Sequence, residues 1–214
     1  MKHGPNIFQI NARDPDPDLI AAACRMINSG GVVVFPATSL YGLAADAFNR
    51  SAVEKIQCMK NRSKQNPILL LVRNRDAVTA LVEDIPPQAV LLMDKFWPGM
   101  VTLVFMAAGS VPGYLTSGTG KIGVRVPAHP VARSLVFGLD NPITGTSANI
   151  SGQPGRDSIT GLNQALVEPP DMILDAGRLK GGPGSTVVDV SVFPPRILRE
   201  GVVSADLIFA ALNG

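Results

Sequence analysis

Lys60 and Arg62, in KNRSKQNP (Lys60–Pro67), stand two residues apart where a helix gives way to a buried strand. Side chains at that spacing do not share a helical face. On extended chain both can enter one cleft, where a guanidinium fork and a mobile ammonium suit phosphate oxygens. The same charges at a helix C-terminus would equally complement its dipole. Ser147 and Asn149, in PITGTSANISG (Pro142–Gly152), leave a strand with Gly145 before them and Gly152 after. A hydroxyl, an amide and exposed backbone N–H groups make a cradle for phosphate or ribose, or simply a polar turn. In FPATSLYGLAADA (Phe35–Ala47), Thr38 and Ser39 follow a buried strand, at the end where open α/β folds gather ligands, and Gly42 permits close backbone approach. The plainer alternative is a strand-to-helix turn capped by Thr38 or Ser39. GGPGSTVVDV (Gly181–Val190) offers a glycine loop ahead of Ser185 and Thr186, and PPRILREG (Pro194–Gly201) brings Arg199 out of the last strand. These read either as an anion-receptive loop with a cation beside it or as a hairpin-like turn with a weak Arg199–Glu200 surface pair.

What is missing narrows the chemistry. His3 and His129 are the only histidines, and His129 precedes Pro130, a helix-entry position. No GxSxG elbow, GxxxxGK[ST] loop or GxGxxG turn occurs, so triad hydrolysis and the common nucleotide fingerprints lack support. Cys24 and Cys58 have neither CxxC spacing nor histidine neighbours and read as reduced, half-buried packing residues. No metal-ligand cluster is legible. The net charge of +2 makes the whole chain a weak attractor of polyanions. Locally, Lys55, Lys60, Arg62, Lys64, Arg73 and Arg75 are opposed only by Glu54, and Lys121, Arg125 and Arg133 form a second basic group. Arg73 and Arg75 read as solvated surface charge; the remainder suggests a phosphate-bearing ligand.

These residues need a frame. At 214 residues, 46% hydrophobic and 17% charged, the chain suits one α/β domain spanning 1–214 with its core from about 6 to 212. Apolar runs such as Val32–Phe35 and Ile68–Val72 fall far short of the ~20 residues a membrane span requires. With no apolar leader at the N-terminus, the expected location is cytoplasmic. Pattern predicts strands at Asn6–Ile10, Val32–Phe35, Ile68–Val72, Val101–Met106, Ile122–Val126, Pro142–Thr146, Met172–Asp175, Thr186–Val190 and Arg196–Arg199. Helices are expected at Asp16–Asn28, Ala52–Met59, Arg75–Val82, Pro87–Phe96, Pro130–Phe137, Ser158–Leu166 and Ser204–Leu212. Two strand pairs lack room for a crossover helix, so the central sheet should be mixed, with helices packed around it.

Taken in order, FPATSLYGL, KNRSKQNPI, WPGMVTLVF, GVRVPAHP, TSANISG, GSTVVD and ILREG resemble the YrdC/Sua5 family of L-threonylcarbamoyladenylate synthases from about Asn28 to Gly201. The resemblance implies an open, twisted, mixed sheet flanked by helices. It implies condensation of L-threonine, bicarbonate or CO2, and ATP into threonylcarbamoyl-AMP with release of pyrophosphate, Mg²⁺ arriving with ATP. A partner transferase would then carry the group to tRNA. By position, Lys60, Arg62 and Asn66 would contact the triphosphate, with Lys60 and Arg62 assisting the transfer. Ser147, Asn149 and Arg199 would hold the nucleotide. Ser39 would face threonine, Arg125 its carboxylate, and Ser185 would close that pocket. The family commonly shows Pro-Thr-Glu/Asp-Thr where this chain has Pro36-Ala37-Thr38-Ser39, and proline where it has Ser63. Leu71 stands where longer members carry histidine, and the chain looks like the short, single-domain type. The competing readings are an RNA-binding or ribosome-associated module that contacts tRNA or double-stranded RNA without turnover, and a paralogue activating another substrate.

Overall fold

The run Val33–Pro36 is apolar at every position and buried along its whole length, because it lies between two separate cores. Val33 and Phe35 enter one cluster, and Val32 and Val34 the other. A strand must present alternate residues to opposite faces, so a strand covered on both sides can carry no polar alternation. The computed structural model describes residues 5–61, 67–162 and 165–213.

The strands form two mixed sheets rather than the single one expected. The first has the order β1(Asn6–Gln9), β9(Met172–Asp175), β2(Val33–Pro36), β3(Tyr41–Ala44), β8(Thr146–Ser147). In it β1, β9 and β2 run parallel, and β3 is antiparallel to both of its neighbours. The second has the order β11(Arg196–Arg199), β10(Thr186–Asp189), β5(Val101–Met106), β6(Lys121–Arg125), β4(Leu69–Leu71), β7(Ile143–Thr144). The predicted strand Pro142–Thr146 is therefore split. It pairs with β4 up to Thr144, passes through Gly145, and pairs with β3 in the other sheet from Thr146 onward. Gly145 donates its N–H to Leu69 O at 2.8 Å, and a Cβ there would stand 2.6 Å from Leu71 Cγ. Only glycine lets the chain cross so close to β4.

Helices close the outer faces. α1(Pro17–Asn28), capped by the Asp16 carboxylate, buries Ile20, Ala23, Cys24 and Ile27. Periodicity suggests a face of Leu19, Ala22, Ala23, Met26 and Ile27, of which Ala23 and Ile27 are buried and the other three are partly buried against the same core. The helix packs with α5(Pro130–Phe137) over β2, and His129 holds the N-cap position of α5, as expected. α3(Pro87–Phe96) and α6(Ala205–Asn213) pack together, with α3 also against β5. The second sheet's core holds Leu103, Phe105, Val124 and Ile208. α2(Arg50–Met59) opens on the Asn49 side chain and ends at Lys60, while α4(Gly113–Thr116) is a single turn.

Several expectations fail for local reasons. Arg75–Val82 yields only a 3-10 turn at Asp76–Val78. The described part of Ser158–Leu166 forms turns, since Gly161 takes φ +73° and leaves the helical region. Cys58 is exposed rather than half-buried, Cys24 is buried, and both thiols are free. The turn after Pro36 leads into strand β3 and not a helix, so Thr38 and Ser39 cap nothing. No helix among the described residues is long and apolar enough to cross a membrane.

Candidate functional site

Where the two sheets meet, the β2–β3 turn, the segment around Ser147, the 153–157 stretch and the glycine loop before β10 enclose a cavity of about 960 Å³. Its floor is the inner face of the second sheet. Along β5, Val101, Leu103 and Phe105 point to the core, whereas Thr102 and Val104 line the cavity. Along β6, Ile122 and Val124 are core, and Lys121, Gly123 and Arg125 line the cavity.

The upper wall is pinned from behind. Tyr41 is fully buried, and its hydroxyl donates to Gly177 O at 2.7 Å, lies 3.1 Å from Asp175 Oδ1 and accepts the Ala176 N–H at 2.9 Å. Burial first, with Asp175 adding, pushes this phenol well above its ordinary range. Gly42 is required because a Cβ would meet the Phe35 ring at 2.8 Å. The β2–β3 turn is thereby fixed, with Ser39 lining the cavity and its carbonyl receiving the Gly181 N–H at 2.9 Å. Gly181 and Gly182 take φ of +72° and +91°, a region open to glycine.

Arg125, Ser185 and Arg199 come together at one end of the floor. Arg199 Nη2 donates to Ser185 O at 2.8 Å and lies 3.4 Å from Ser185 Oγ, which shares a 2.8 Å hydrogen bond with Thr102 Oγ1. The expected Arg199–Glu200 surface pair is not formed: the Glu200 carboxylate accepts the Ala205 N–H at the start of α6. Arg125 is 7% exposed, and its Nε is buried without a hydrogen-bond partner. Burial, with Arg199 adding, pushes its guanidinium down to about 10, still charged at neutral pH. Among the described residues it has no carboxylate partner. A buried cation without an anion is unfavourable until an anion arrives.

The other predicted residues divide. Ser147 lines the cavity. Asn149 is buried behind it, its amide donating to Ile150 O and Gln153 O, both at 2.7 Å, with Oδ1 left unpartnered. Lys60 is 1% exposed, and its ammonium donates to Ser147 O and, at 2.7 Å, to Asn149 O. The ammonium expected at a phosphate thus holds the backbone carbonyls of Ser147 and Asn149. Arg62 and Asn66 lie outside the described residues, as do His3, Ser63 and Lys64. The first basic group disperses: Lys55 donates to Gly30 O, Arg73 to the carbonyls of Leu139 and Asp140, and Arg75 pairs with Asp94. Arg133 also separates from Lys121 and Arg125, lying over the Phe137 ring at 5.5 Å. Thr102 and Asp189 were missed as cavity residues, although they follow the period-2 alternation of their strands.

Lys60→Met should lower both melting temperature and nucleotide affinity, because the buried Asn149 O loses its donor, at roughly 1–3 kcal/mol, while Ser147 O keeps only the Asn149 N–H. Unchanged stability with lost nucleotide binding would show instead that the ammonium acts on the ligand directly. Thermal melts with a nucleotide titration separate the two.

The family profile Sua5/YciO/YrdC, described as telomere recombination, matches residues 25–201. The chain belongs to the Sua5/YciO/YrdC family. A threonylcarbamoyl-AMP synthase of Pyrococcus abyssi is 36% identical over 182 residues, 85% of this chain and 54% of that protein. A putative threonylcarbamoyl-AMP synthase of Mycobacterium leprae is 37% identical over 202 residues, covering 94% and 91%. The crystal structure of P. abyssi Sua5 complexed with L-threonine superposes with a TM-score of 0.90 at 33% identity, over 96% of this chain and 60% of that one. As a Sua5/YciO/YrdC member, the chain thus spans about half of the Pyrococcus relative and nearly all of the Mycobacterium one.

Proposed function

We propose that this chain is an ATP-dependent nucleotidyltransferase that makes threonylcarbamoyl-AMP from L-threonine, bicarbonate or CO2, and ATP, releasing pyrophosphate. The observation that carries the reading is the buried Arg125 guanidinium, without a carboxylate partner among the described residues, on the floor of a cavity that Ser39, Ser147, Ser185 and Arg199 also line. The threonine carboxylate supplies the missing anion, Ser39 faces the rest of the amino acid, and Ser185, steadied by Thr102 and Arg199, closes that end. Ser147 meets the nucleotide, with Asn149 and Lys60 shaping the loop beneath it and Arg199 reaching it from beside Ser185. Arg62 and Asn66 are assigned to the triphosphate on the family pattern alone.

The chemistry asks little of the side chains beyond alignment and charge. The threonine amine captures CO2 as a carbamate, whose oxygen attacks the α-phosphorus in line, and cations stabilise the charge that develops on the leaving group. The described residues contain no group of three metal-ligating side chains. Mg²⁺ is assigned to the phosphate oxygens of ATP, as is usual for that ion. A threonylcarbamoyl transferase acting on tRNA in the cytoplasm is the proposed consumer of the product.

Incubation with ATP, Mg²⁺, bicarbonate and a panel of amino acids, with mass detection of the adenylate, tests the reading. Threonine should drive pyrophosphate release, and serine or valine far less. Equal turnover with all three, or none with threonine, refutes it.

A further inference from the structure

Met100, the residue before β5, lines the cavity with its sulfur 3.8 Å from Nη1 of Arg125. Among the described residues this thioether is the one acceptor the guanidinium has, and Nε has none. A thioether accepts hydrogen bonds only weakly. The cation is therefore held in position without being compensated, and an incoming carboxylate meets little competition for it.

A stronger acceptor on the same atom would reverse that balance, and methionine chemistry supplies one. The sulfur lone pair takes an oxygen from hydrogen peroxide as the O–O bond breaks. A proton moves to the departing oxygen, leaving sulfoxide and water, with sulfur oxidised by two electrons and peroxide reduced. The thioether becomes polar, and its new oxygen comes within hydrogen-bond reach of Nη1 once it turns toward the guanidinium. Methionine's three rotatable bonds permit that turn. Met100 is partly exposed and faces the cavity, so a molecule as small as peroxide reaches it. Met59, Met93 and Met172 are buried in the cores. Met26 packs beneath α1 and Met106 ends β5, and neither contacts Arg125.

We propose that oxidation of Met100 to the sulfoxide closes the carboxylate subsite, its oxygen occupying Arg125 in place of the amino acid. The proposal rests on the synthase reading. Peroxide then silences the site without altering any group that touches the reacting atoms, and sulfoxide reductases restore it. The free protein gains from the same exchange, because a buried cation acquires the acceptor it lacks. Oxidation should thus raise the melting temperature while it weakens threonine binding, the opposite of what general oxidative damage does.

Calorimetric titration with threonine before and after peroxide, with melting curves on the same samples, tests this on the full chain. Cys58→Ser is the background, since the Cys58 thiol is exposed, and peptide mass mapping locates the added oxygen. Oxidation should weaken threonine about tenfold, the effect of one charge-assisted contact. Methionine sulfoxide reductases with a dithiol should restore the affinity. Met100→Leu should show one threonine affinity before and after peroxide. Met100→Gln, which carries an oxygen on its δ atom as the sulfoxide does, should bind threonine weakly with no oxidant present. Threonine affinity that ignores oxidation of Met100, or falls equally in Met100→Leu, overturns the proposal, as does an oxidised protein that melts earlier. Protein that binds threonine, loses it on oxidation, yet releases no pyrophosphate from ATP when reduced would sustain this site while refuting the synthase. Reduced protein that binds no threonine refutes both.

Discussion

Replacing Arg125 by methionine is expected to raise the melting temperature and, in the same protein, to weaken threonine-dependent pyrophosphate release sharply. The two effects share a cause. The guanidinium is buried, its Nε is unpartnered, and Arg199 repels it, which together push it down to about 10. At about 1.4 kcal/mol per tenfold change in proton affinity, holding that charge costs on the order of 3 kcal/mol before any ligand binds. Methionine keeps the packing volume and removes the charge. On the proposed function the substitution removes a contact to a carboxylate, worth roughly 1.5–3 kcal/mol, so the KM for threonine should rise about 10- to 100-fold or more. Melting curves and threonine titrations of the two proteins decide the matter. A destabilised variant with unchanged threonine KM would reduce Arg125 to a packing residue.

Gly201→Ala should be the most damaging single-methyl addition near the site. A Cβ at Gly201 would meet the Gly184 carbonyl oxygen and stand 2.5 Å from Ser185 C and 2.6 Å from Thr186 N. All of these are backbone atoms, so no side chain can rotate out of the way. The segment is also locked by Thr186, whose hydroxyl donates to Val203 O at 2.5 Å and accepts the Gly201 and Val203 N–H groups at 3.0 and 3.2 Å. Overpacking of this kind costs about 1–3 kcal/mol, a fall of roughly 2–12 °C for a chain of this size. Because the atoms that must move carry Ser185 and receive Arg199, activity should fall further than stability. Gly182→Ala is the control: its Cβ would meet nothing within 4 Å, leaving only the strain of φ +91°, about 1–2 kcal/mol. Equal effects from both substitutions would mean that the contact at Gly184 relaxes easily.

Much of the frame was legible because burial leaves a strong mark on sequence. Val101–Met106 and Arg196–Arg199 match their predicted bounds, and α1, expected from Asp16, starts at Pro17 with the Asp16 carboxylate as its cap. Strand β3 was missed because YGLA is short, holds a glycine and follows a polar turn. What identifies it is Phe35 stacked over Gly42, a cross-strand fact that no local pattern carries. The site was half legible. Residue type and order singled out Ser39, Arg125, Ser147, Ser185 and Arg199, all of which line one cavity. Type alone could not say which way a long side chain turns. Lys60 and Asn149 face backbone carbonyls, and Arg199 reaches Ser185 rather than its neighbour Glu200. Such choices are fixed by partners far off in the chain.

The single-residue crossing at Gly145 bears on how the molecule comes apart. Because β7 and β8 belong to different sheets and are separated by one residue whose N–H is held by Leu69, neither sheet can melt while the other keeps its edge. Leu71 reinforces this, being a residue of the second sheet that packs in the same core as Val33 of the first. Denaturation is accordingly expected to be one cooperative step, with fluorescence and circular-dichroism transitions that coincide. Any ligand seated between the sheets stabilises the whole chain rather than a lobe of it, by the mass-action increment its affinity dictates.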